Sequence, residues 1–549
     1  MNVKPSEGGN SALIDRYGGL IMAFVLALFS ELLFTSFIPH AYLLSGAGRV
    51  CVVLLALAIV QRFAVSALGK YRVNKRNLIT LGSLLLLSLI LIWIGNIFAL
   101  SLAKYAESSR YIAEVQYESF LFAIPYASGA LLVQSVLGLQ YGLVFSISLA
   151  IIAGMYIPGT PLFMGLVLCS CMVACLSVIR LRTRSVYVRA GGYIVLATLP
   201  FALASVVIEG DLSSTDILFR ALAPIVAGIL SSFIAGGLTP VVEYFGGYIT
   251  DIRLLEMATL DHPLLKELSI QAPGTWNHSM VIGMMVEAAA DATGANPVLA
   301  RVGAYFHDIG KMKKPLYFVE NQMPGDNRHD KLSPSMSALI IRSHVKEGVE
   351  LARQHKLPPV MEDMITQHHG TTLIEYFYDK ACKESEESGA GIEVDKSLYR
   401  YPGPKPQSRE AGILMLADGI EAASRTISEP THDRIQGLVQ KMMNKVFASG
   451  ELNECELTLQ DLHVIAKCFT RVLTSIYHQR IAYAEPAEKV HEKNSLKEEN
   501  QNEAQLLQEE ASSQGKDLAG THQSKKGKGA SSERANKESS EENLKRLGL

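Results

Sequence analysis

The sequence predicts an all-α protein in two parts, a polytopic helical membrane domain followed by a soluble all-helical domain, with a disordered C-terminal tail. Three observations carry this. Apolar stretches of about 20 residues, the length a spanning helix needs, recur up to Gly237. Beyond Thr239 the apolar runs shorten and take on helical periodicity, as in MVIGMMVEAAADA and PVLARVGAYF, with few alternating β-branched stretches. From Glu485 onward Glu, Lys, Ser, Gln and Asn dominate, a composition that cannot bury enough apolar surface to offset chain entropy. The expected divisions are an N-terminal segment with an anchor helix over 1–47, a seven-helix membrane module over 48–240, the soluble domain with its linker over 241–484, and the tail over 485–549.

Eight stretches qualify as spans: Gly18 to Phe37, Val50 to Leu68, Ile79 to Leu102, Ser119 to Leu139, Tyr141 to Ile157, Pro161 to Ile179, Gly191 to Ile208, and Ile217 to Gly237. Lys4 and Arg16 flank a first apolar run longer than a signal-peptide core, and no small-residue cleavage site follows, so it reads as an uncleaved anchor. Acidic residues are nearly absent from the stretches, Glu31 being the main exception, which gives little support to a proton or ion pathway. The connections KYRVNKR and RLRTRSVYVR are basic, whereas the region Ala106 to Tyr117 and the loop EGDLSSTD hold acidic residues. Lys and Arg are retained on the inner side of short loops, so an even number of spans places both termini and the soluble half in the cytoplasm.

The formal charge of −2 argues neither for nor against a nucleic-acid partner. The seven cysteines show no disulfide or zinc-ribbon spacing and read as reduced and structural. A short amphipathic linker, VVEYFGGYITDIRLLE, leads to a helical domain from Leu254 to Ala482, punctuated by stop signals at Gly294-Ala295-Asn296-Pro297 and Gly310.

Seven metal-capable residues sit in or beside apolar segments of that domain. They are His278 in TWNHSM, His307 and Asp308 in YFHDIGKM, His344 in IIRSHVKEG, His368 and His369 in ITQHHGTT, and Asp418 in LMLADGIEAASR. One such histidine alone would read as a core or capping residue; the whole group reads as a ligand set. Imidazole and carboxylate suit divalent transition ions such as manganese or iron, and no cysteine lies within these motifs. Seven ligands are too many for one ion and suit two, with a carboxylate bridging. Two ions about 3.5 to 4 Å apart would activate a hydroxide and stabilise the entering and leaving oxygens of a phosphodiester. Lys311 fits either a role on a phosphate oxygen or that of a solvated lysine at a helix end. Asp330 and Asp363 rival Asp418, which the apolar run before it favours; His329, His355, His432, His463 and His478 lie in polar contexts and are assigned no metal role.

The ordered strings QAPGTWNHSM, ARVGAYFHDIGKMKKPLYFVENQ, HDKLSPSMSALIIRSHVKEGVELA, QHHGTTLIEYFY, RYPGPKPQSREAGILMLADGIEAASR and IYHQRIAY go further. Through them the chain from about Val50 to Tyr483 resembles the HD phosphohydrolase superfamily, and more narrowly the bacterial seven-transmembrane HD-domain phosphodiesterases that hydrolyse cyclic di-AMP. The resemblance implies a cytoplasmic HD domain anchored in the bacterial inner membrane. It implies that His278, His307, Asp308 and Asp418 hold one ion, and that Asp308 bridges to a second held by His344, His368 and His369. The catalytic group would be Asp308 with Lys311, and the product a linear dinucleotide. Another nucleotide (cyclic di-GMP or a nucleoside polyphosphate) stays open as substrate, although HHGTT stands where the cyclic di-GMP branch has its GYP signature; so does a receptor that binds without hydrolysis.

Tyr317, Phe318, Glu320, Asn321 and Gln322 follow the HD motif and either stack on and hydrogen-bond an adenine or simply pack. The loop YPGPKPQSRE reads as a rigid connection and, through the resemblance, as a wall of the substrate pocket. The expected partners are a cyclic dinucleotide and the lipid bilayer; a homodimer is compatible with the reading, and no nucleic-acid polymer is expected, the QSKKGKGASS stretch being read as solvated tail. Family members usually carry a sizeable extracytoplasmic domain after the first anchor, where only Pro39 to Arg49 stands here, so sensing through such a domain is not expected.

Overall fold

The computed structural model describes residues 9–37, 43–69, 71, 73–157, 160–179, 181, 183–210, 213–323, 325, 327–387 and 393–478. The expected tail over 485–549 lies outside the described residues, as do Lys70, Arg72, Arg180 and Arg182, on which the orientation partly rests. The chain falls into two compact units divided after Glu256.

The first unit is built of α1 (Gly9–Phe34), α2 (Leu43–Ala67), α3 (Lys75–Ser108), α4 (Tyr117–Leu121), α5 (Ser128–Leu137), α6 (Leu139–Tyr156), α7 (Thr160–Ser177), α8 (Ser185–Glu209) and α9 (Ser214–Gly246). Six of these, α1, α2, α3, α6, α8 and α9, are long and apolar enough to cross a membrane. Two of the eight expected spans therefore differ. Pro161–Ser177 is apolar but shorter than the rest, and the stretch Ser119 to Leu139 is not one helix. Pro125 interrupts it, because proline lacks the amide hydrogen that a helix interior needs, and the chain turns between α4 and α5. Such irregular backbone is tolerated at membrane depth only where protein surrounds it. Here Ile124 and Tyr126 are buried, and every α5 residue from Ser128 to Gln134 is buried too.

Glu31, the acidic exception, is not isolated. It accepts from Arg49 Nη2 at 2.5 Å and from Tyr156 Oη at 2.9 Å, which ties α1 to α2 and α6.

Helix α10 (Asp251–Met257) belongs to the first unit except for its last residue, and the second unit contains α11 (Pro263–Gln271), α12 (Pro273–Thr293), α13 (Pro297–Phe306), α14 (Pro334–Gln354), α15 (Pro359–Gln367), α16 (Glu375–Glu387), α17 (Arg409–Ser424), α18 (His432–Ala448) and α19 (Leu459–His478). Among the described residues there is no strand, only one isolated bridge between Leu373 and Arg400. Local sequence sets the helix ends. Gly294 terminates α12 at φ 72°, Asn296 accepts from Val298 N and Leu299 N to cap α13, and Pro297 takes the first turn, where no amide hydrogen is needed. Ile282, Met285 and Val286 of α12, Ile413, Leu416 and Ile420 of α17, and Phe469 of α19 form the core. The site is thus carried by helices whose opposite faces are fixed in a packed interior.

Candidate metal centre

Helix α13 ends at Phe306, and the chain turns through His307 and Asp308 into a tight 3-10 segment, Ile309–Lys313. Gly310 makes the turn possible. A Cβ there would sit 1.9 Å from the His344 carbonyl oxygen of α14, so only glycine lets the turn lie against that helix. His278 comes from α12, His344 from α14, His368 and His369 from the end of α15, and Asp418 from α17.

The seven expected ligands converge. His278, His307, Asp308 and Asp418 form one group and His344, His368 and His369 another, with the ligand atoms of each group within 4.8 Å of one another. Asp308 faces both groups with different oxygens. Its Oδ2 lies 3.2 Å from His307 Nε2 and 3.8 Å from His278 Nε2, and its Oδ1 lies 3.4 Å from His344 Nε2 and 3.7 Å from His368 Nε2. Asp418 is 3.0 Å from His278 and 3.4 Å from His369.

Three histidines are oriented alike. Nδ1 of His307, His344 and His368 donates to the carbonyl three residues back, at 2.7, 2.5 and 2.7 Å, on Ala304, Ile341 and Ile365. With the proton on Nδ1, each Nε2 presents a lone pair inward. His344 and His368 then face one another Nε2 to Nε2 at 3.3 Å, an arrangement that a cation between them makes favourable. His307 Nε2 and both Asp308 oxygens are buried with no hydrogen bond, although Lys311 Nζ forms an ion pair 2.7 Å from Oδ2. Orphaned nitrogen and oxygen atoms focused on one place, with no thiol among them, fit a divalent cation.

The charge balance is arranged in the same sense. Burial lowers the pKa of His344, His368 and His369, that of His369 to about 3, so all three are neutral and ready to ligate near pH 7. Burial also presses on His278, but Glu421 and Asp418 outweigh it and raise this residue to about 10. Burial would raise Asp308; His307 and Lys311 instead hold its carboxyl well below the usual range. Lys311 is 12% exposed and wedged between Asp308 and Glu320, 2.9 Å from the latter, so the solvated helix-end alternative does not describe it.

The other expected site residues divide. Tyr317, Phe318, Glu320 and Gln322 line a cavity of about 860 Å³ that opens onto the centre, whereas Asn321 does not. The Asn321 amide oxygen accepts from Gly274 N and Thr275 N, and its nitrogen donates to Thr275 Oγ1. Its hydrogen-bonding capacity serves the start of α12, so of the two expected alternatives it is the packing one that describes Asn321. Asp330 and Asp363 are exposed and outside both ligand groups.

Sequence reasoning missed Glu421, whose Oε2 lies 2.5 Å from His278 Nδ1, and Glu451, which accepts from Thr371 N and Oγ1 at 2.9 and 2.6 Å and so braces the turn after His369. Spacing offered a signal for the first: Glu421 is one helical turn beyond Asp418 and faces the same way. Tyr401 opens the loop YPGPKPQSRE expected as a pocket wall and does line the cavity, but nothing in the sequence signalled that its ring stacks on His369, with centroids 4.1 Å apart.

Comparison with known proteins points the same way. A family model described as "7TM receptor with intracellular HD hydrolase" matches residues 43–250, and the HD domain model matches residues 275–423. The chain is 38% identical over 384 residues to the cyclic-di-AMP phosphodiesterase PgpH of Bacillus subtilis (strain 168), an alignment covering 69% of this chain and 53% of that one. It is 40% identical over 311 residues to PgpH of Listeria monocytogenes serotype 1/2a (strain 10403S), covering 56% of this chain and 42% of that one. The chain thus spans about half the length of the curated relatives it matches. The crystal structure of the L. monocytogenes PgpH HD domain in complex with cyclic-di-AMP is 44% identical, its whole length aligning with 40% of this chain at a TM-score of 0.37.

Proposed function

Because this chain belongs to the family of seven-transmembrane proteins with an intracellular HD domain, we propose that it is a membrane-anchored, metal-dependent phosphodiesterase hydrolysing cyclic di-AMP to the linear dinucleotide. The observation that carries the reading is Asp308, which turns one oxygen to each of two ligand groups. Cyclic di-AMP as substrate is supported by the activity named for the relatives.

In this reading the centre holds two ions, manganese or iron, one on His278, His307, Asp308 and Asp418 and one on His344, His368, His369 and Asp308. When bound they supply the chemistry of two-metal sites, a water made nucleophilic near neutral pH and a clamp on the oxygens of the displaced phosphodiester. The protein's own groups do the rest. Nδ1 bonds to backbone carbonyls hold three imidazoles at fixed orientation, and buried Lys311 offers positive charge at the cavity floor. The cavity is large enough to enclose much of a dinucleotide, with aromatic side chains such as Tyr317 and Phe318 on its wall. The HD domain is assigned to the cytoplasmic face, a reading that the basic loops and the proposed nucleotide substrate support.

The test is to purify the full chain in detergent, load it with manganese or iron, and offer cyclic di-AMP, cyclic di-GMP and nucleoside polyphosphates. Linear di-AMP as product, lost in Asp308→Ala, is the expected result. A metal-loaded chain that cleaves none of them overturns the phosphodiesterase reading and leaves binding without hydrolysis; preference for cyclic di-GMP overturns the substrate alone.

A further inference from the structure

Of the proline- and glycine-rich loop after Arg400, only the first residue, Tyr401, lines the cavity. Immediately after the two ligand histidines, the chain runs antiparallel to residues 399–401. Ile374 N donates to Tyr399 O at 2.8 Å, Tyr401 N donates to Thr372 O at 3.0 Å, and Leu373 bridges Arg400 between them. This short zip fixes the Tyr401 backbone against the His368-His369 turn. The ring then lies on His369 at 4.1 Å and 27° and reaches within 6.2 Å of the His344 ring. Phe377 and Tyr399, buried in the small apolar cluster beside it, back its other contacts.

A stack alone would be satisfied by phenylalanine. Tyr401 carries a hydroxyl as well, the residue lines the cavity over the centre, and among the described residues that hydroxyl has no hydrogen-bond partner. Two cations of this cavity nearest the centre are already engaged, Lys311 with Asp308 and Glu320, and Arg425 with Glu421. A tyrosine half-buried against a ligand histidine with its donor unspent is suited to an incoming acceptor, because a phenol end left unpaired costs stability that a ligand oxygen recovers.

We propose that Tyr401 is a catalytic residue whose hydroxyl donates a hydrogen bond to an oxygen of the phosphate held at the metal centre, while its ring braces His369. The proposal rests on the phosphodiesterase reading for its substrate, and on the cavity geometry for the contact. A donor preset toward charge that builds up in the transition state lowers the barrier without itself changing protonation.

The experiment compares full-length wild type, Tyr401→Phe and Tyr401→Ala in detergent. Tyr401→Phe keeps the ring, so bound metal per chain should equal that of wild type, while kcat on cyclic di-AMP falls roughly 10- to 100-fold, the range for one hydrogen bond to a charged group. Inorganic phosphate, titrated calorimetrically onto the metal-loaded proteins, should bind about 10-fold more weakly to the variant, the worth of one hydrogen bond to a charged group. Tyr401→Ala should in addition lose metal, since His369 loses its brace. Unchanged kcat and phosphate affinity in Tyr401→Phe overturn the proposal, and so does metal loss in Tyr401→Phe equal to that in Tyr401→Ala, which would make the residue purely structural. If wild type cleaves no dinucleotide the proposed function fails, and the phosphate titration still decides the role of Tyr401.

Discussion

Glu421 Oε2 sits 2.5 Å from His278 Nδ1, while the other nitrogen of that ring, Nε2, faces Asp418 Oδ1 at 3.0 Å. His278 is therefore oriented by a carboxylate behind it, and not by a backbone carbonyl as His307, His344 and His368 are. Arg425 neutralises Glu421 at 2.8 Å, which keeps the buried carboxylate affordable. Carboxylates placed this way fix ring orientation and raise ligand basicity, and their loss typically costs about 10- to 100-fold in metal affinity. Glu421→Gln should weaken binding of one ion by that factor and leave the other in place, read by manganese titration with metal content per chain. Equal affinities for both sites in the variant would rule the role out.

That residue also marks the limit of what the sequence carries. The seven residues that converge were legible as a group because polar side chains in apolar segments demand a reason, and a helix interior offers few others. Glu421 was not, because a glutamate followed by a basic residue one turn on looks like any solvated helix face; only packing α17 against α12 buries it. Asn321 stood between a base reader and a packing residue until α12 arrived to take all of its hydrogen bonds, and no local pattern announces a cap supplied from another segment. In the membrane unit, apolar length was readable while the break at Pro125 was underweighted, since proline is tolerated within α8 at Pro200 and α9 at Pro224 and Pro240.

Asp308→Asn should be more damaging than the loss of any single histidine. The change preserves volume but offers only one good ligand oxygen where two are used, and it leaves Lys311 beside a neutral amide. Metal content should fall in both groups together, and turnover by more than about 10³-fold, the scale expected when a centre acting as a unit is removed. Retention of one full equivalent of tightly held metal would refute the bridging assignment.

Gly310→Ala tests the turn. The added methyl would lie 1.9 Å from His344 O and 2.6 Å from Gly348 N, both backbone atoms that no rotamer change can move aside. A destabilisation of roughly 3 kcal/mol is expected, at the upper end for overpacking, read as a lower melting temperature of the second unit. Because α14 must retreat, His344 retreats with it, and metal held with His368 and His369 should weaken more than metal held with His278.

The pH dependence of the metal-free protein follows from signs. His344, His368 and His369 have folded values below the ordinary 6.5, so the folded state resists protonation and stability is lost as pH falls below about 6.5, towards about 3 for His369. His278 has a folded value of about 10, so its contribution is complete below about 6.5 and is lost as pH rises through 10. Stability without metal should peak near pH 6.5 and decline on both sides. A bound ion takes the place of the His278 proton, so metal loading should remove the alkaline decline. Melting temperatures from pH 5 to 10, with chelator and with manganese, check this; an alkaline limb unaffected by metal would contradict it.

The membrane unit has its own test, in a residue unconnected with the metal centre. Arg220 is 0% exposed, and its guanidinium donates to Asp216 at 2.9 Å, to Glu209 at 2.6 and 2.8 Å, to Ser205 at 2.7 Å, and to Gln116 and Ser119 at 3.0 Å. It therefore joins the end of α8, the start of α9 and the segment entering α4. Arg220→Leu would strand Asp216, which is equally buried, as an uncompensated charge, costing about 3 to 5 kcal/mol. Arg220→Leu with Asp216→Asn removes both charges and should recover part of that loss, because an amide still accepts from the Gln116 amide hydrogen that Asp216 now holds at 2.8 Å. Thermal unfolding in detergent of the single and double variants decides the matter: if the double melts no higher than the single, the ion pair is not what holds these three segments together.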